Sequence, residues 1–152
     1  MTTPVIAGFF GDYRFLSNFY TGSGQQLREV FRGNQLSYPT VEHAFQASKS
    51  LDVTKRLQIA LLVTPSEAKR FGRTLVLRPD WESVKDDVML YWVREKFYRS
   101  PQLQERLIRT APAHLLETNT WGDLYWGVDP AGNGKNRLGG ILMQVRDELL
   151  TV

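Results

Sequence analysis

The pattern of apolar and polar positions changes its period after the first quarter of the chain. Before Pro39 the apolar residues form short runs, at Val5 to Phe10, at residues 27–31 and at residues 35–38. Such runs predict strands, and the Gly33-Asn34 pair between the last two is typical of a hairpin turn. This part of the chain therefore predicts a small antiparallel sheet.

From residue 40 onward the apolar positions recur at helical spacing, and Thr, Asp, Ser and Asn residues suited to helix capping precede several of these segments. The expected helices run from Thr40 to about Leu51, from Asp52 or Thr54 to Val63, from Thr64 to Gly72, from Trp81 to Tyr98 and from Ser100 to about Thr110. A last helix is expected after Asn136, near the end of the chain. The pattern predicts one α+β domain over residues 1–152, mostly helical with a small antiparallel sheet.

Composition excludes several classes of function. Among 152 residues there is no cysteine and there are only two histidines, so we expect no disulfide and no metal site. We also expect no cofactor. Apolar runs are too short to span a membrane and the N-terminus lacks a signal-peptide pattern, so we expect a cytoplasmic protein. A net charge of +3 is compatible with a phosphorylated ligand or nucleic acid but requires neither.

Aromatic residues and glycines are concentrated between Trp121 and Gly139. Asp123 lies between two tryptophans, and a carboxylate desolvated by aromatic rings is suited to proton transfer. Glycines and cations before a helix, at Gly132 to Arg137, are typical of a phosphate cradle. The alternative is that Asp123 caps a local turn, the tryptophans belong to the core, and the glycine loop is a flexible connection.

A second candidate set lies on the first predicted helix. Glu42, Gln46 and Lys49 are spaced i, i+4 and i+7, so they share one face. They can form a solvated polar stripe, in which Glu42 only favours the helix dipole. They can also line a site, because the helix begins where the predicted sheet ends.

Two further stretches carry groups that can contact a ligand. Arg14, Ser17 and Asn18 can hydrogen-bond a ribose or the edge of a base, or they can satisfy the backbone of a turn. Trp81 stands at the start of a long helix, where it can equally be a core anchor. We expect His114 to be structural or exposed, since it has no charged neighbour along the chain.

Taken together, five blocks of sequence resemble the NADAR family of YbiA-like N-glycosidases. They are Phe15–Tyr20, Pro39–Lys49, Asp80–Lys85, Asp123–Gly127 and Gly134–Gly139. The blocks occur in the family's order and extend over nearly the whole chain. Glu-His-x-Phe-Gln-Ala-x-Lys and Gly-Lys-Asn-Arg-Leu-Gly are the most specific of them.

The resemblance implies hydrolysis of the bond between a ribosyl carbon and an exocyclic amine. Family substrates are phosphorylated ribosylaminopyrimidine intermediates of riboflavin biosynthesis, or ADP-ribose on guanine of nucleic acid. Glu42, Trp81 and Asp123 match the activity-critical residues of the family. The expected substrate-binding set is Arg14, Ser17, Asn18, Gln46, Trp81, Tyr125, Trp126, Gly127, Gly132, Gly134, Lys135 and Asn136. Some relatives carry glycines where this chain has Val128-Asp129-Pro130, a stiffer and more acidic loop.

Breaking a C–N bond at an anomeric carbon requires a proton for the leaving nitrogen and a nucleophile for the carbon. Glu42 and Asp123 can divide the acid and base roles if the fold brings them together. Lys49 can instead trap an aldehyde-level sugar as a Schiff base, with Glu42 relaying a proton. A third hypothesis is a module that binds ADP-ribose or modified nucleotides without cleaving them.

Overall fold

The computed structural model describes residues 2–22, 24 and 26–151. Helices dominate this part of the chain, and the strands are short. In chain order the elements are β1 (Val5–Ala7), a 3₁₀ helix (Gly11–Leu16), β2 (Leu27–Phe31), β3 (Asn34–Tyr38), α1 (Val41–Ser48), α2 (Val53–Ala60), α3 (Pro65–Gly72), α4 (Trp81–Tyr98), α5 (Pro101–Arg109), β4 (His114–Leu116) and α6 (Arg137–Leu150). The predicted class is confirmed: the fold is α+β, mostly helical, with a small antiparallel sheet.

The antiparallel sheet is the β2–β3 hairpin, in which Leu27 pairs with Tyr38 and Phe31 with Asn34. The predicted turn was displaced by one residue, because the two residues of the loop are Arg32 and Gly33. Both have positive φ angles, 49° and 80°, which matches the twist that a two-residue hairpin loop requires. Asn34 is the first strand residue, and its side chain donates to the Arg32 carbonyl at 3.1 Å.

Helix starts follow the predicted caps. The side-chain oxygens of Thr40, Asp52, Thr64 and Ser100 each accept a hydrogen bond from a backbone N–H two or three residues later. Such bonds satisfy N–H groups that the first helical turn leaves unpaired. The bounds of α3 and α4 agree with the sequence pattern, whereas α1 and α2 each end three residues before the predicted position.

A second sheet escaped the sequence pattern. β1 and β4 pair in parallel, with Val5 opposite His114 and Ala7 opposite Leu116. The strand predicted from Val5 to Phe10 ends at Ala7, where Gly8 turns the chain with a φ of 88°. Three residues are too few to reveal a period, and the partners come from opposite ends of the chain.

The chain divides into two compact units. The central unit is Asn18–Lys96 and the terminal unit combines Met1–Ser17 with Phe97–Val152. The prediction of one domain over residues 1–152 stays a prediction, and four of those positions lie outside the described residues.

In the central unit the hairpin packs against helices through buried aromatic and ionic contacts. Tyr38 meets Trp92 edge-on with ring centroids 5.6 Å apart, and the Trp92 indole donates to Ser48 Oγ at 2.9 Å. Glu29 accepts from Arg56 at 2.9 Å and from the Tyr38 hydroxyl at 2.6 Å. The two donors compensate much of the cost of burying the carboxylate.

The terminal unit is built around α6, the helix predicted to follow Asn136, whose buried residues recur at helical spacing. Leu138, Ile141, Leu142 and Val145 are buried. α6 packs against α5 and β4. Arg146 on the same helix is buried and donates to the Ala113 carbonyl at 2.8 Å, which ties α6 to the segment that enters β4.

Candidate active site

The polar residues of α1 in the central unit are buried, so the interpretation of this face as a solvated stripe is wrong. All residues of α1 are buried, and Glu42 is only 7% exposed. The Glu42 Oε1 accepts a hydrogen bond from Gln46 Nε2 at 2.8 Å, and its backbone N–H donates to the Asn18 carbonyl at 3.1 Å. Burying a carboxylate is costly unless it is hydrogen-bonded, so Glu42 is a fixed group with a defined orientation.

Lys49 follows α1 on the same face and is half-buried. Burial lowers its pKa; the carboxylate of Glu42 acts in the opposite direction, and the cations Arg73 and Lys69 lower it further. The Nζ atom lies 5.7 Å from the centre of the Phe45 ring. A lysine with a lowered pKa holds a larger fraction of neutral amine near neutral pH, which is the nucleophilic form.

Two buried carbonyl oxygens close to Glu42 accept no hydrogen bond from any described residue. They are Asn18 Oδ1 and Gln46 Oε1. The amide nitrogens of both side chains are engaged, with Asn18 Nδ2 donating to Met89 Sδ at 3.4 Å and Gln46 Nε2 to Glu42. A buried acceptor without a donor costs about 1–3 kcal/mol, so N–H or O–H groups of a ligand are suitable partners for these atoms.

Trp81 at the start of α4 is a buried residue that packs against the same region. It is 5% exposed, and its ring lies 5.1 Å from the Phe45 ring. The Phe45 ring therefore neighbours both Trp81 and the Lys49 amine. The burial of Trp81 agrees with its interpretation as a core anchor. A contact between Trp81 and substrate stays a prediction.

His43 is fully buried beside Glu42 but serves the fold. Its Nδ1 lies 2.7 Å from Thr40 Oγ1 and its Nε2 lies 3.0 Å from the Leu62 carbonyl. Burial is the main cause of its lowered pKa. A neutral ring with its proton on Nε2 satisfies both contacts, so His43 links α1 to the end of α2.

The terminal unit contains the other predicted acid. Asp123 Oδ1 accepts from the backbone N–H groups of Tyr125 and Trp126 at 3.1 and 3.0 Å. Asn119 holds the same turn, since its side chain donates to the Asp123 carbonyl and accepts from the Asp123 N–H. Asp123 thus caps a local turn, as one of the two interpretations predicted, and its catalytic role stays a prediction.

The aromatic residues next to Asp123 are not core residues. Trp121 is 63% exposed and Trp126 is half-buried, so placing both tryptophans in the core is wrong. Tyr125 and Trp126 meet edge-on at 4.9 Å. Lys135 Nζ lies 5.3 Å from the centre of the Tyr125 ring. The segment combines exposed rings with a nearby cation, as a nucleotide-binding surface does.

Most backbone donors of the loop before α6 are already used within the chain. The N–H groups of residues 135, 136, 137 and 138 donate to the carbonyls of residues 124, 127, 125 and 126. Those of Gly132 and Asn133 donate to Asp129, which closes the loop. A phosphate cradle at Gly132 to Asn136 therefore lacks most of its backbone donors, and phosphate binding here would depend on side chains such as Lys135.

Gly127 and Gly134 are explained by close approach of the chain to itself. A side chain at Gly127 would lie 2.7 Å from Asn119 Nδ2, and one at Gly134 would lie 2.9 Å from Val128 Cα. Real Cβ atoms do not approach other heavy atoms so closely. These two glycines are required by packing, whether or not they also contact substrate.

Asn136 does not cap α6 with its side chain, contrary to expectation. It has a positive φ of 52° and makes no side-chain capping bond. Its Oδ1 accepts from the Glu117 N–H at 2.9 Å and its Nδ2 donates to the Leu115 carbonyl at 2.8 Å. The residue instead fastens the start of α6 to β4, which leaves the amide engaged in the fold.

The 3₁₀ helix places the remaining predicted residues. Arg14 is exposed and Ser17 is half-buried, and the Ser17 N–H donates to the Arg14 carbonyl at 2.9 Å. Both belong to the terminal unit, whereas Asn18 belongs to the central unit. Contacts of these residues with substrate stay predictions.

Lys69 and Arg73 are candidate residues that sequence reasoning could not assign. They were recognisable as cations, but only the packing of α3 brings them into electrostatic contact with Lys49. Over the described ranges no three His, Cys, Asp or Glu side chains form a group suited to a metal ion. Nor does any described helix have the length and apolar character to cross a membrane.

Comparison with known proteins agrees with this architecture. Residues 9–150 match the model of the NADAR domain family. N-glycosidase YbiA of Escherichia coli K12 is 46% identical over 115 residues, which cover 74% of this chain and 71% of that protein. A Nostoc punctiforme N-glycosidase is 38% identical, covering 90% of this chain and 86% of the relative.

Two other relatives extend the comparison. The chloroplastic riboflavin biosynthesis protein PYRR of Zea mays is 40% identical over 146 residues, which cover 88% of this chain and 23% of that protein. The NMR structure of E. coli YbiA matches with a TM-score of 0.79 and 38% identity, covering 99% of this chain and 88% of that one. The chain therefore belongs to the NADAR family.

Proposed function

We propose that this chain is an N-glycosidase that hydrolyses the bond between a ribosyl C1 and an exocyclic amine, with phosphorylated ribosylaminopyrimidine intermediates of riboflavin biosynthesis as substrates. Two relatives that this chain matches over most of their length are named N-glycosidases. Two others are named riboflavin biosynthesis proteins. The expected cytoplasmic location and the absence of a cofactor belong to the same proposal.

The observation that carries the proposal is the arrangement on α1. Glu42 is a buried carboxylate held by Gln46, and Lys49 on the same helix face has a pKa lowered chiefly by burial. A module that only binds a ligand gains nothing from burying a carboxylate and an amine at such cost. The pair instead suits a reaction that moves a proton and needs a neutral amine.

The proposed reaction begins with opening of the ribosylamine ring. The bond between C1 and the ring oxygen breaks, the oxygen takes up a proton from solvent and becomes a hydroxyl, and an iminium forms between C1 and the exocyclic nitrogen. The neutral amine of Lys49 adds to C1 and forms a C–N bond. Glu42 relays a proton from the Lys49 nitrogen to the exocyclic nitrogen, whose bond to C1 then breaks. Water hydrolyses the resulting Lys49 Schiff base, which releases the free sugar and restores the amine.

Direct attack of water on C1 is the competing route, and it assigns general acid–base roles to Glu42 and Asp123. Borohydride added during turnover distinguishes the two, because it reduces a Schiff base to a stable adduct. We expect mass spectrometry to locate the sugar on Lys49. Turnover without an adduct on Lys49 would favour water attack.

Substitution of Glu42 tests the activity itself. Glu42→Gln keeps an oxygen that can accept from Gln46 but removes the ionisable group, so we expect kcat to fall by roughly a hundredfold or more with little change in KM. Glu82→Gln is the matched control, since Glu82 is an exposed acid of the same unit paired with Lys85. Full activity of Glu42→Gln would end the catalytic interpretation.

Asp123→Asn tests the second acid while retaining an oxygen for the turn. We expect lowered turnover and intact folding. If the two acids act as one pair, the double variant should lose little more activity than the less active of the two single variants. Additive losses would show that the two acids act independently.

Parallel assays with a phosphorylated ribosylaminopyrimidine and with ADP-ribosylated guanosine, both followed by mass spectrometry, test the substrate. We expect release of the pyrimidine from the first. Cleavage of the second compound alone would move the substrate class to ADP-ribose on guanine. Binding without any released product would favour a non-catalytic module.

A further inference from the structure

Two cations at the end of α3 flank a contact with α1. Gly72 contacts Gln46 so closely that a Cβ on Gly72 would lie 2.7 Å from Gln46 Cδ. Lys69 precedes Gly72 by three residues on α3, and Arg73 is the residue at which α3 ends, directly after Gly72. Lys49 follows Gln46 by three residues on α1.

The electrostatics agree with this packing. Lys69 and Arg73 both lower the pKa of Lys49, so their charges act on its amine, and Glu42 is the carboxylate that acts in the opposite direction. Bringing like charges together is unfavourable. The arrangement persists at little cost where an anionic group occupies the site during function.

We propose that Lys69 and Arg73 form the subsite for the phosphate group of the substrate. This inference rests on the proposed function, because it assigns the substrate a phosphate at the end of the sugar opposite to C1. Such a molecule places its phosphate at α3 and its C1 at Lys49. Arg73 is exposed and Lys69 is half-buried, so a phosphate oxygen can reach both from solvent. Guanidinium and ammonium groups are the side chains that bind phosphate in proteins.

The loop before α6 is the competing location for a phosphate, and its geometry is less favourable. Most backbone amides that would hold the anion there donate to oxygen atoms of the chain. Lys69 and Arg73 instead offer charged side chains that solvent reaches. Because a monophosphate and the diphosphate of ADP-ribose share this chemistry, the experiment must include both.

Lys69→Gln, Arg73→Gln and the double variant test the subsite. Arg70→Gln is the matched control, since Arg70 is an exposed cation of the same helix. Ribose 5-phosphate and ADP-ribose serve as probes, and binding is followed by chemical-shift changes of the backbone amides. We expect wild-type protein and Arg70→Gln to bind ribose 5-phosphate, each single variant to bind it roughly tenfold more weakly, and the double variant to lose saturable binding.

Kinetics provide the second readout. At a pH high enough to keep the Lys49 amine neutral in every variant, we expect each single variant to raise KM for the phosphorylated substrate roughly tenfold, to leave kcat nearly unchanged, and to leave KM for the dephosphorylated compound unchanged. Unchanged KM and unchanged phosphate binding would overturn the subsite. A shifted pH profile of kcat with unchanged binding would also overturn it, since the cations would then only tune Lys49.

The two proposals fail in different ways. If wild-type protein cleaves no N-glycoside but ribose 5-phosphate still binds through Lys69 and Arg73, the activity is wrong and the subsite stands. If cleavage proceeds and the variants bind phosphate normally, the activity stands and the subsite is wrong. If loss of Lys69 and Arg73 weakens the binding of ADP-ribose more than the binding of ribose 5-phosphate, the subsite holds a diphosphate.

Discussion

Gly72 lies against Gln46, the residue that donates a hydrogen bond to the Glu42 carboxylate. Its Cα packs against the Gln46 amide, which in turn donates to Glu42 at 2.8 Å. Gly72→Ala places a methyl group in the space of that amide. Since Gln46 is 95% buried (5% exposed), the amide cannot simply swing into solvent. We expect the hydrogen bond between Gln46 and Glu42 to break or lengthen.

The expected magnitudes separate stability from activity. Overpacking costs about 1–3 kcal/mol, and alanine in place of a helical glycine returns about 0.5–1 kcal/mol. Gly72→Ala should therefore be less stable by only about 0–2.5 kcal/mol. Loss of a hydrogen bond to a charged group is worth about 1.5–3 kcal/mol, so kcat/KM should fall roughly tenfold to a hundredfold.

Gly140 of α6 provides the matched control, because an added Cβ there meets nothing within 4 Å. Gly140→Ala should gain about 0.5–1 kcal/mol of stability and keep full activity. Urea unfolding and steady-state kinetics on both variants check the comparison, and the NMR signals of the Gln46 side-chain amide report the local displacement.

A second variant distinguishes loss of the contact between Gln46 and Glu42 from a general failure to fold. Gln46→Ala removes the clashing amide, so adding Gly72→Ala to it should cost little further activity. Full activity in Gly72→Ala, together with a displaced Gln46 amide signal, would refute the idea that Gln46 orients Glu42. An equal loss of activity in Gly140→Ala would show that the effect is not specific to this contact.

Two further predictions concern the fold around the site. The folded-state pKa of His43 lies below its unfolded value of about 6.5, so its contribution to folding stability is complete above pH 6.5 and is lost as pH falls toward the folded pKa. In urea unfolding from pH 5 to 8, the free energy of unfolding should change by at most about 1.4 kcal/mol per pH unit because of this residue. His43→Gln should remove this pH dependence, and His114→Gln should not. Asn136→Ala loses the bonds to Leu115 and Glu117 and should destabilise the protein by about 2–4 kcal/mol in urea unfolding; a change below 0.5 kcal/mol would contradict the proposed anchoring of α6.

Local interactions explain why much of the fold could be predicted from sequence. The caps at Thr40, Asp52, Thr64 and Ser100 join groups two or three residues apart, so the residues that make them stand together in the sequence. The hairpin was found for the same reason, although its loop was displaced by one residue. Family membership was also readable, because the matching blocks retain residue types in a fixed order.

The candidate site was predicted in its residues but less well in their environment. Helical spacing placed Glu42, Gln46 and Lys49 on one face, as observed, but spacing alone favoured a solvated stripe over a buried one. Burial depends on what packs over a face, and α3 and the Asn18 segment supply that cover here. The joint action of Glu42 and Asp123 stays a prediction, as do the substrate contacts of the segment from Trp121 to Gly139.

The sequence by itself determined the helix starts, the hairpin, the α+β class and the family, because each depends on neighbouring residues or on conserved order within a block. Tertiary structure alone decided the parallel pairing of β1 with β4 and the approach of Lys69 and Arg73 to Lys49. It also decided the hydrogen bonds from the N–H groups of residues 135–138 to the carbonyls of residues 124–127. These contacts join residues far apart in the chain. Their formation depends on the geometry of packed elements, which no local pattern records.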